Sequence, residues 1–105
     1  MDAQQAEKAI EAITNALKDR AEKMNATYAI RRPSLRRIDF RLPDQNMIYS
    51  LHITGADDGS EYGAAVFATR TDSEGMMIPN GGGLGAIVDV SAEALAERVA
   101  RYILK

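Results

Sequence analysis

The chain has 105 residues with a formal net charge of −2 at pH 7, and 46% of them are hydrophobic and 27% charged. These values are typical of one globular domain and exclude a disordered chain, so we expect residues 1–105 to form a single domain. The chain has no cysteine, which excludes disulfide bonds, thiolate catalysis and cysteine-ligated zinc. Because it shows neither a secretory signal nor a run of ~18 apolar residues, we expect a cytoplasmic protein that does not span a membrane.

Charge is distributed unevenly along the chain. Residues 28–42 carry five arginines and one aspartate, a net charge of +4, whereas residues 44–97 carry nine acids and one arginine, a net charge of −8. Such an asymmetry bears on the choice of binding partners and not on the fold.

An apolar residue recurs every three or four positions over residues 3–26, which predicts an amphipathic helix that Asn25 can end. We expect its apolar stripe to pack on a sheet, and a partner helix in a coiled coil is the alternative. The stripe consists of Ala6, Ile10, Ile13, Leu17, Ala21 and Met24.

Residues 35–54 predict a β-hairpin around which the rest of the chain is organised. Polar and apolar residues alternate over 37–42, apolar residues recur at every second position from 47 to 53, and the Pro-Asp-Gln-Asn run at 43–46 is typical of a turn. One pairing register brings both apolar rows onto the same face of the sheet. Its predicted pairs are Ile38 with Leu51, Phe40 with Tyr49 and Leu42 with Met47.

The segments around the hairpin carry weaker signals. Residues 27–30 fit a short strand or a connector, and we expect Pro33 to break any element there. Residues 61–71 predict a third long strand, and residues 76–78 a fourth that Pro79 ends or confines to an edge. Residues 81–85 include four glycines, so we expect a mobile connection there, followed by an extended run at 86–90.

The C-terminal segment predicts a second helix. Ser91 is suited to cap its N-terminus, with Glu93 in the first turn, and Val90 and Leu95 have the spacing of a hydrophobic staple. The apolar stripe is Leu95, Val99, Tyr102 and Ile103.

These elements predict an α+β fold. We expect a two-layer sandwich in which a mainly antiparallel β-meander of about four strands is flanked by N- and C-terminal helices, in the order α-β-β-β-β-α. If both helices cover one face of the sheet, the other face is bare and presents an apolar patch, which usually marks an interface. We therefore expect a homodimer or a partner protein on this face; the candidate interface residues are Ile48, Ala65, Phe67, Gly81, Gly82, Gly83 and Leu84.

Acidic residues cluster in two predicted loops. They could meet a basic partner protein, and they lack the acidic spacing and the closing glutamate of an EF-hand calcium loop. The candidate partner-binding acids are Asp57, Asp58, Glu61, Asp72 and Glu74.

The arginine cluster is the sharpest local feature. Guanidinium groups match carboxylate and phosphate geometry, so an acidic protein, a small anion or nucleic acid are possible ligands. The alternative is that these arginines pair with the chain's own acids or keep an edge strand soluble. With no aromatic residue interleaved for base stacking and a pI near 5.3, nucleic acid is not favoured. The candidate anion-binding residues are Arg31, Arg32, Arg36, Arg37 and Arg41.

The segment Arg31-Arg32-Pro33-Ser34-Leu35 resembles a substrate site for basophilic protein kinases. Two arginines precede a serine that an apolar residue follows. The resemblance covers five residues, and it implies that a phosphate on Ser34 would neutralise part of the arginine cluster.

Residues for catalysis are scarce. The chain has one histidine, His52, so Ser/His/Asp chemistry would depend on it, and no spacing of histidine and acids resembles a metal site. The glycine run leads into an extended segment with no Lys-Ser or Lys-Thr pair after it, unlike a phosphate-binding loop. We therefore predict a small non-enzymatic protein-interaction module of adaptor, chaperone, immunity or inhibitor type, without a cofactor or a metal. The alternatives are an anion or nucleic-acid binder and an enzyme centred on His52.

Overall fold

The computed structural model describes residues 2–56, 58–74, 76, 78 and 82–105, with residues 82–84 described by their backbone alone. Five antiparallel strands form one sheet in the order β1-β2-β3-β4-β5, and a helix lies at each end of the chain. The elements are α1 (Ala3–Lys23), β1 (Ala29–Ser34), β2 (Arg37–Leu42), a 3₁₀ turn (Pro43–Gln45), β3 (Met47–Gly55), β4 (Tyr62–Arg70), β5 (Gly82–Asp89) and α2 (Ala92–Ile103). The predicted α+β arrangement is confirmed, with five strands in place of four.

Residues at both ends of helix α1 have side chains or conformations suited to a helix terminus. Asp2 and Gln5 form a capping box, in which each side chain accepts a hydrogen bond from the other residue's backbone N–H. After the last turn Asn25 adopts a left-handed conformation, with φ of 55°, which asparagine tolerates better than most residues. The predicted stripe is buried except for Met24, which is 47% exposed because it follows the last helical residue and no longer faces the sheet.

The β2–β3 hairpin has the predicted register. Ile38 pairs with Leu51, Phe40 with Tyr49 and Leu42 with Met47. The first member of each pair is at most 1% exposed. The period of two in this sequence therefore decides which face of the sheet is covered.

The fifth strand arises at β1, where we expected Pro33 to break any element. Since β1 is an edge strand, a residue without a backbone N–H is tolerated on its open side. The pairing with β2 shifts by one residue between Arg31 and Ser34, a β-bulge that accommodates Pro33.

The glycine-rich segment also differs from its prediction. Instead of an irregular connection, Gly82–Asp89 is strand β5, which pairs with β4 along most of its length. Backbone hydrogen bonds to a long neighbouring strand outweigh the low strand propensity of glycine. Gly85, with φ of 126°, lies where the register shifts, a conformation that glycine adopts without strain. Met76 and Ile78, predicted to be strand, lie outside the strands of the described chain.

Helix α2 is capped as predicted, since the Ser91 hydroxyl accepts a hydrogen bond from Ala94 N at 3.1 Å. The predicted staple is wrong, because Val90 is 78% exposed. Tyr102 is 38% exposed. A row of alanines lies along the buried side of α2, and Tyr102 lies at the edge of that side. The buried residues of α2 are Ala92, Leu95, Ala96, Val99, Ala100 and Ile103.

Both helices pack on the same face of the sheet. Their buried side chains join those of β2, β3 and β4 in one core cluster, in which Phe40, Leu17 and Leu95 are fully buried. We call this covered face the inner face, and the opposite one the outer face. No helix in the described part of the chain is long and apolar enough to cross a membrane.

The two phenylalanines of the chain test this two-sided arrangement, since Phe40 is fully buried on the inner face and Phe67 is 42% exposed on the outer face. Phe40→Ala should lower the free energy of unfolding by about 3–5 kcal/mol, through lost burial and a cavity. Phe67→Ala, the same substitution, should lower it by less than about 1 kcal/mol. Urea unfolding followed by circular dichroism measures both, and equal losses would contradict the assignment of the faces.

Candidate functional site

The outer face carries two surfaces of different chemistry. On β4 and β5 lies an apolar patch, formed by Ala65, Phe67, Ala86 and Val88. On β1 and β2 lies a basic patch, formed by Arg31, Arg37 and Arg41 around Asp39. Strand β3 lies between them and contributes His52 and Ser50 to the same face.

The apolar patch is centred on Phe67. Phe67 and Val88 are each 42% exposed, Ala86 is exposed and Ala65 is half-buried. The exposure expected of Phe67 is therefore confirmed. The His52 ring meets the Phe67 ring edge-to-face, with ring centroids 5.4 Å apart and planes at 81°, a favourable aromatic geometry.

Ile48 does not belong to this exposed surface, contrary to the sequence prediction. Its position in the alternation of β3 places its side chain on the outer face, yet this side chain is only 4% exposed. Its cross-strand neighbours are Arg41 and Thr69, and the aliphatic stem of an arginine can cover apolar surface. Ile48 is therefore buried, although alternation alone predicts it to be bare.

The glycine part of the predicted interface lies in β5. Gly82, Gly83 and Leu84 are strand residues, and Gly83 pairs with Phe67. Gly81 is outside the described residues.

Sequence reasoning missed Ala86 and Val88. Their outer-face position follows from pairing with Ala65 and Gly63, which only the contact between β4 and β5 reveals. The short apolar run at 86–90 is the sequence signal for these residues, but its two faces can be assigned only once it is paired with β4.

In the basic patch, one arginine is engaged and two are not. Arg37 Nε donates to Asp39 Oδ1 at 3.0 Å, and its guanidinium also reaches Ser50 Oγ at 3.4 Å. Arg31 and Arg41 have no side-chain hydrogen bond or ion pair within the described ranges. With three arginines and one aspartate, the patch has a net charge of +2.

The other two arginines of the predicted cluster lie elsewhere. Arg32 points to the helical side, where its guanidinium holds both carboxylate oxygens of Glu7 and donates to Leu35 O at 3.0 Å. This hydrogen-bonded pair lowers the pKa of Glu7 and raises that of Arg32. Arg36 lies in the β1–β2 turn. The structure therefore divides the five arginines between the outer face, the helical side and a turn.

The predicted acidic loops do not form one surface. Asp58 and Glu61 lie in the β3–β4 connection, and Asp72 and Glu74 follow β4 at its other end. A nine-residue strand is about 27 Å long, so the two pairs are far apart. Asp57 is outside the described residues.

Two of these acids have local structural roles. The Asp58 carboxylate accepts hydrogen bonds from Ser60 N and Ser60 Oγ, at 2.9 and 2.6 Å, which lowers the pKa of Asp58. The Asp72 carboxylate accepts bonds from the backbone N–H groups of Glu74 and Met76, both at 2.9 Å. Both acids therefore order their own turns.

His52 is poorly placed for acid–base catalysis. Its cross-strand neighbours are Arg37 and Ala65, neither of which can orient an imidazole as an acid would. The nearby Asp39 is already bonded to Arg37. Among the described residues, no group of three or more histidines and acids is arranged to hold a metal ion.

A concave surface lies on the helical side of the molecule, opposite the outer face. This groove of about 730 Å³ runs between α1 and α2. Alanines such as Ala16 and Ala96 form its floor, and four acids and four bases form its walls. The formal charges of the walls therefore sum to zero.

Comparisons of the chain with protein-family models, with curated proteins and with solved structures find no match. The chemistry of the outer face is therefore the basis for assigning a function.

The Glu7–Arg32 pair predicts a measurable titration. In Arg32→Gln the pKa of the Glu7 carboxyl should rise toward its ordinary value, because the guanidinium that holds its charged form is gone. Since the folded pKa is depressed, the pair's stabilising contribution is fully present above the unfolded-state pKa and is lost as pH falls through the folded pKa. Carbon-detected NMR titration of the carboxyl measures this shift. Arg41→Gln, which removes an arginine from the outer face, should leave Glu7 unchanged.

Proposed function

We propose that this protein is a non-enzymatic protein-binding module that docks an acidic segment of a partner protein on the outer face of its sheet. The main support is the uncovered face of the sheet, where an exposed apolar patch lies beside a patch of net positive charge. The proposed partner segment has apolar side chains that meet Phe67 and Val88 and carboxylates that meet Arg31 and Arg41.

The apolar patch supports a docking role. A contiguous exposed apolar surface on a sheet is typical of a protein interface. Aromatic side chains near the centre of an interface contribute much of its binding energy, and Phe67 has this position. His52, in edge-to-face contact with Phe67, helps hold the ring in one orientation.

The basic patch supports the choice of an acidic partner. No acid among the described residues is bonded to the guanidinium groups of Arg31 and Arg41, so they can pair with carboxylates without breaking a contact in this part of the chain. Their charge would also accelerate and orient the encounter with an acidic surface.

A second copy of the chain fits this face less well. Among the described residues, Asp39 is the acid of the two patches, and Arg37 already holds it. Two outer faces brought together would therefore confront arginines with arginines or with apolar residues, and like charges oppose such a contact. The partner on this face is accordingly a different, acidic protein, and a homodimer through the face is an outcome of the test.

An acidic peptide tests the proposal directly. We expect a synthetic peptide that alternates glutamate with leucine to shift the amide resonances of β2, β3 and β4 in ¹⁵N-labelled protein. A glutamate–serine peptide lacks the apolar side chains and a lysine–leucine peptide has the opposite charge, so both should bind at least about tenfold more weakly.

Variants locate the binding face. Phe67→Ser, and separately Arg31→Glu with Arg41→Glu, should each weaken the glutamate–leucine peptide by about tenfold or more. The matched control is Lys8→Glu with Lys18→Glu, which makes the same change in charge on exposed positions of α1 and should leave binding unchanged. Equal losses in the control would mean that net charge alone governs binding.

Two outcomes would replace the proposal. Tighter binding of a single-stranded oligonucleotide, with affinity falling steeply as salt rises, would assign the face to nucleic acid. A salt-insensitive dimer in light scattering, lost in Phe67→Ser, would assign it to a second copy of the chain.

A further inference from the structure

The β1–β2 turn presents an accessible serine beside the basic patch. Ser34 ends β1, an edge strand, and both Ser34 and Arg31 are exposed. Between Arg31 and Ser34 the register shifts, so Arg32 and Pro33 have no Cα partner on β2. The segment is therefore extended, exposed and only partly paired with the sheet.

The residues that flank Ser34 are available to an enzyme. Leu35, directly after the serine, is 52% exposed, so this apolar side chain contributes little to the core. Arg31, three residues before the serine, has no side-chain partner in the described chain. Arg32, two residues before it, is held by Glu7 at the surface, an exposed pair that is weak enough to exchange. Two accessible arginines, a serine and an apolar residue match the resemblance to a basophilic kinase site.

The register places Ser34 on the outer face. Ser34 pairs with Arg37 across the two strands, and paired residues have Cβ atoms about 5 Å apart on the same face. A phosphate on Ser34 Oγ would therefore lie next to the Arg37 guanidinium, at the border of the basic patch. Arg32, which reaches over the turn to Leu35 O, is also close to this position.

We propose that Ser34 is a phosphorylation site for an arginine-directed serine kinase, and that its phosphate switches off docking of the acidic partner on the outer face. In the transfer, Ser34 Oγ attacks the γ-phosphorus of ATP, the bond to the β-phosphate oxygen breaks, and ADP and the serine proton leave. The kinase and ATP are the co-reactants. The regulatory half of this inference depends on the proposed function.

Charge accounts for the switch. The basic patch has a net charge of +2, and a phosphoserine adds about −1.5 to −2 at neutral pH, so modification brings the patch close to zero. The phosphate would compete with Asp39 for Arg37 through charge-assisted hydrogen bonds. An acidic partner would then meet a neutral surface that also carries an anion.

The first experiment treats the folded protein with the catalytic subunit of an arginine-directed kinase and ATP, and locates the product by mass spectrometry. We expect modification at Ser34, none at that position in Ser34→Ala, and a fall in kcat/KM of about tenfold or more in Arg31→Ala, since a charged contact with the kinase is lost. Lys18→Ala, the control, should be modified at the wild-type rate. Modification of the unfolded chain alone would overturn the proposal.

The second experiment compares the glutamate–leucine peptide with both forms of the protein. Phosphorylation should weaken binding by about tenfold or more. Unchanged binding would overturn the switch while leaving the proposed function intact, whereas failure of the unmodified protein to bind would reject the proposed function instead.

A third measurement does not depend on the partner. In a ³¹P NMR titration the pKa of the phosphoserine should lie below the ordinary value for this group in the folded protein and rise in Arg37→Gln, because the guanidinium stabilises the dianion. A phosphate that titrates alike in both proteins would show that it does not contact Arg37, and would overturn the proposed geometry.

Discussion

The register of β2 against β3 places Ile38, Phe40 and Leu51 on the face that the helices cover. Side chains alternate strictly along a strand, so a slip of one residue would expose this row and bury Arg37, Asp39 and Arg41. The cost of burying those charges makes the slipped pairing unfavourable. The division into an inner and an outer face, and therefore every surface proposed to bind, depends on this one register.

The same alternation separates groups that are neighbours in sequence. Arg31 and Arg32 are adjacent, yet one lies on the outer face and the other holds Glu7 of α1. A run of arginines thus serves two purposes, since one member links the edge strand to the helix layer and others remain open on the surface. The bulge after Arg31 then brings Ser34 back to the outer face beside Arg37.

These placements connect the proposed docking surface with its proposed control. The apolar patch offers burial, the basic patch offers charge, and the serine lies at the border of the basic patch, where an added phosphate would change charge without touching Phe67. Binding to such a surface can be weakened by a change in charge alone, because the electrostatic contribution is separate from the apolar burial. The Asp58 and Asp72 carboxylates, in contrast, order their own turns near opposite ends of β4.

The sequence by itself determined the two helices, the cap at Ser91 and the hairpin register, because each follows from local periodicity or from a cap between residues three apart. It also indicated the exposed position of Phe67. Only the tertiary structure decided that the glycine run becomes β5, that Ile48 is shielded, and that Ala86 and Val88 complete the apolar patch. These features depend on pairing between segments far apart in the chain, and the one-residue register shift after Arg31 likewise decides that Ser34 lies on the outer face. A local pattern carries no record of such shifts, since they arise only when two strands meet.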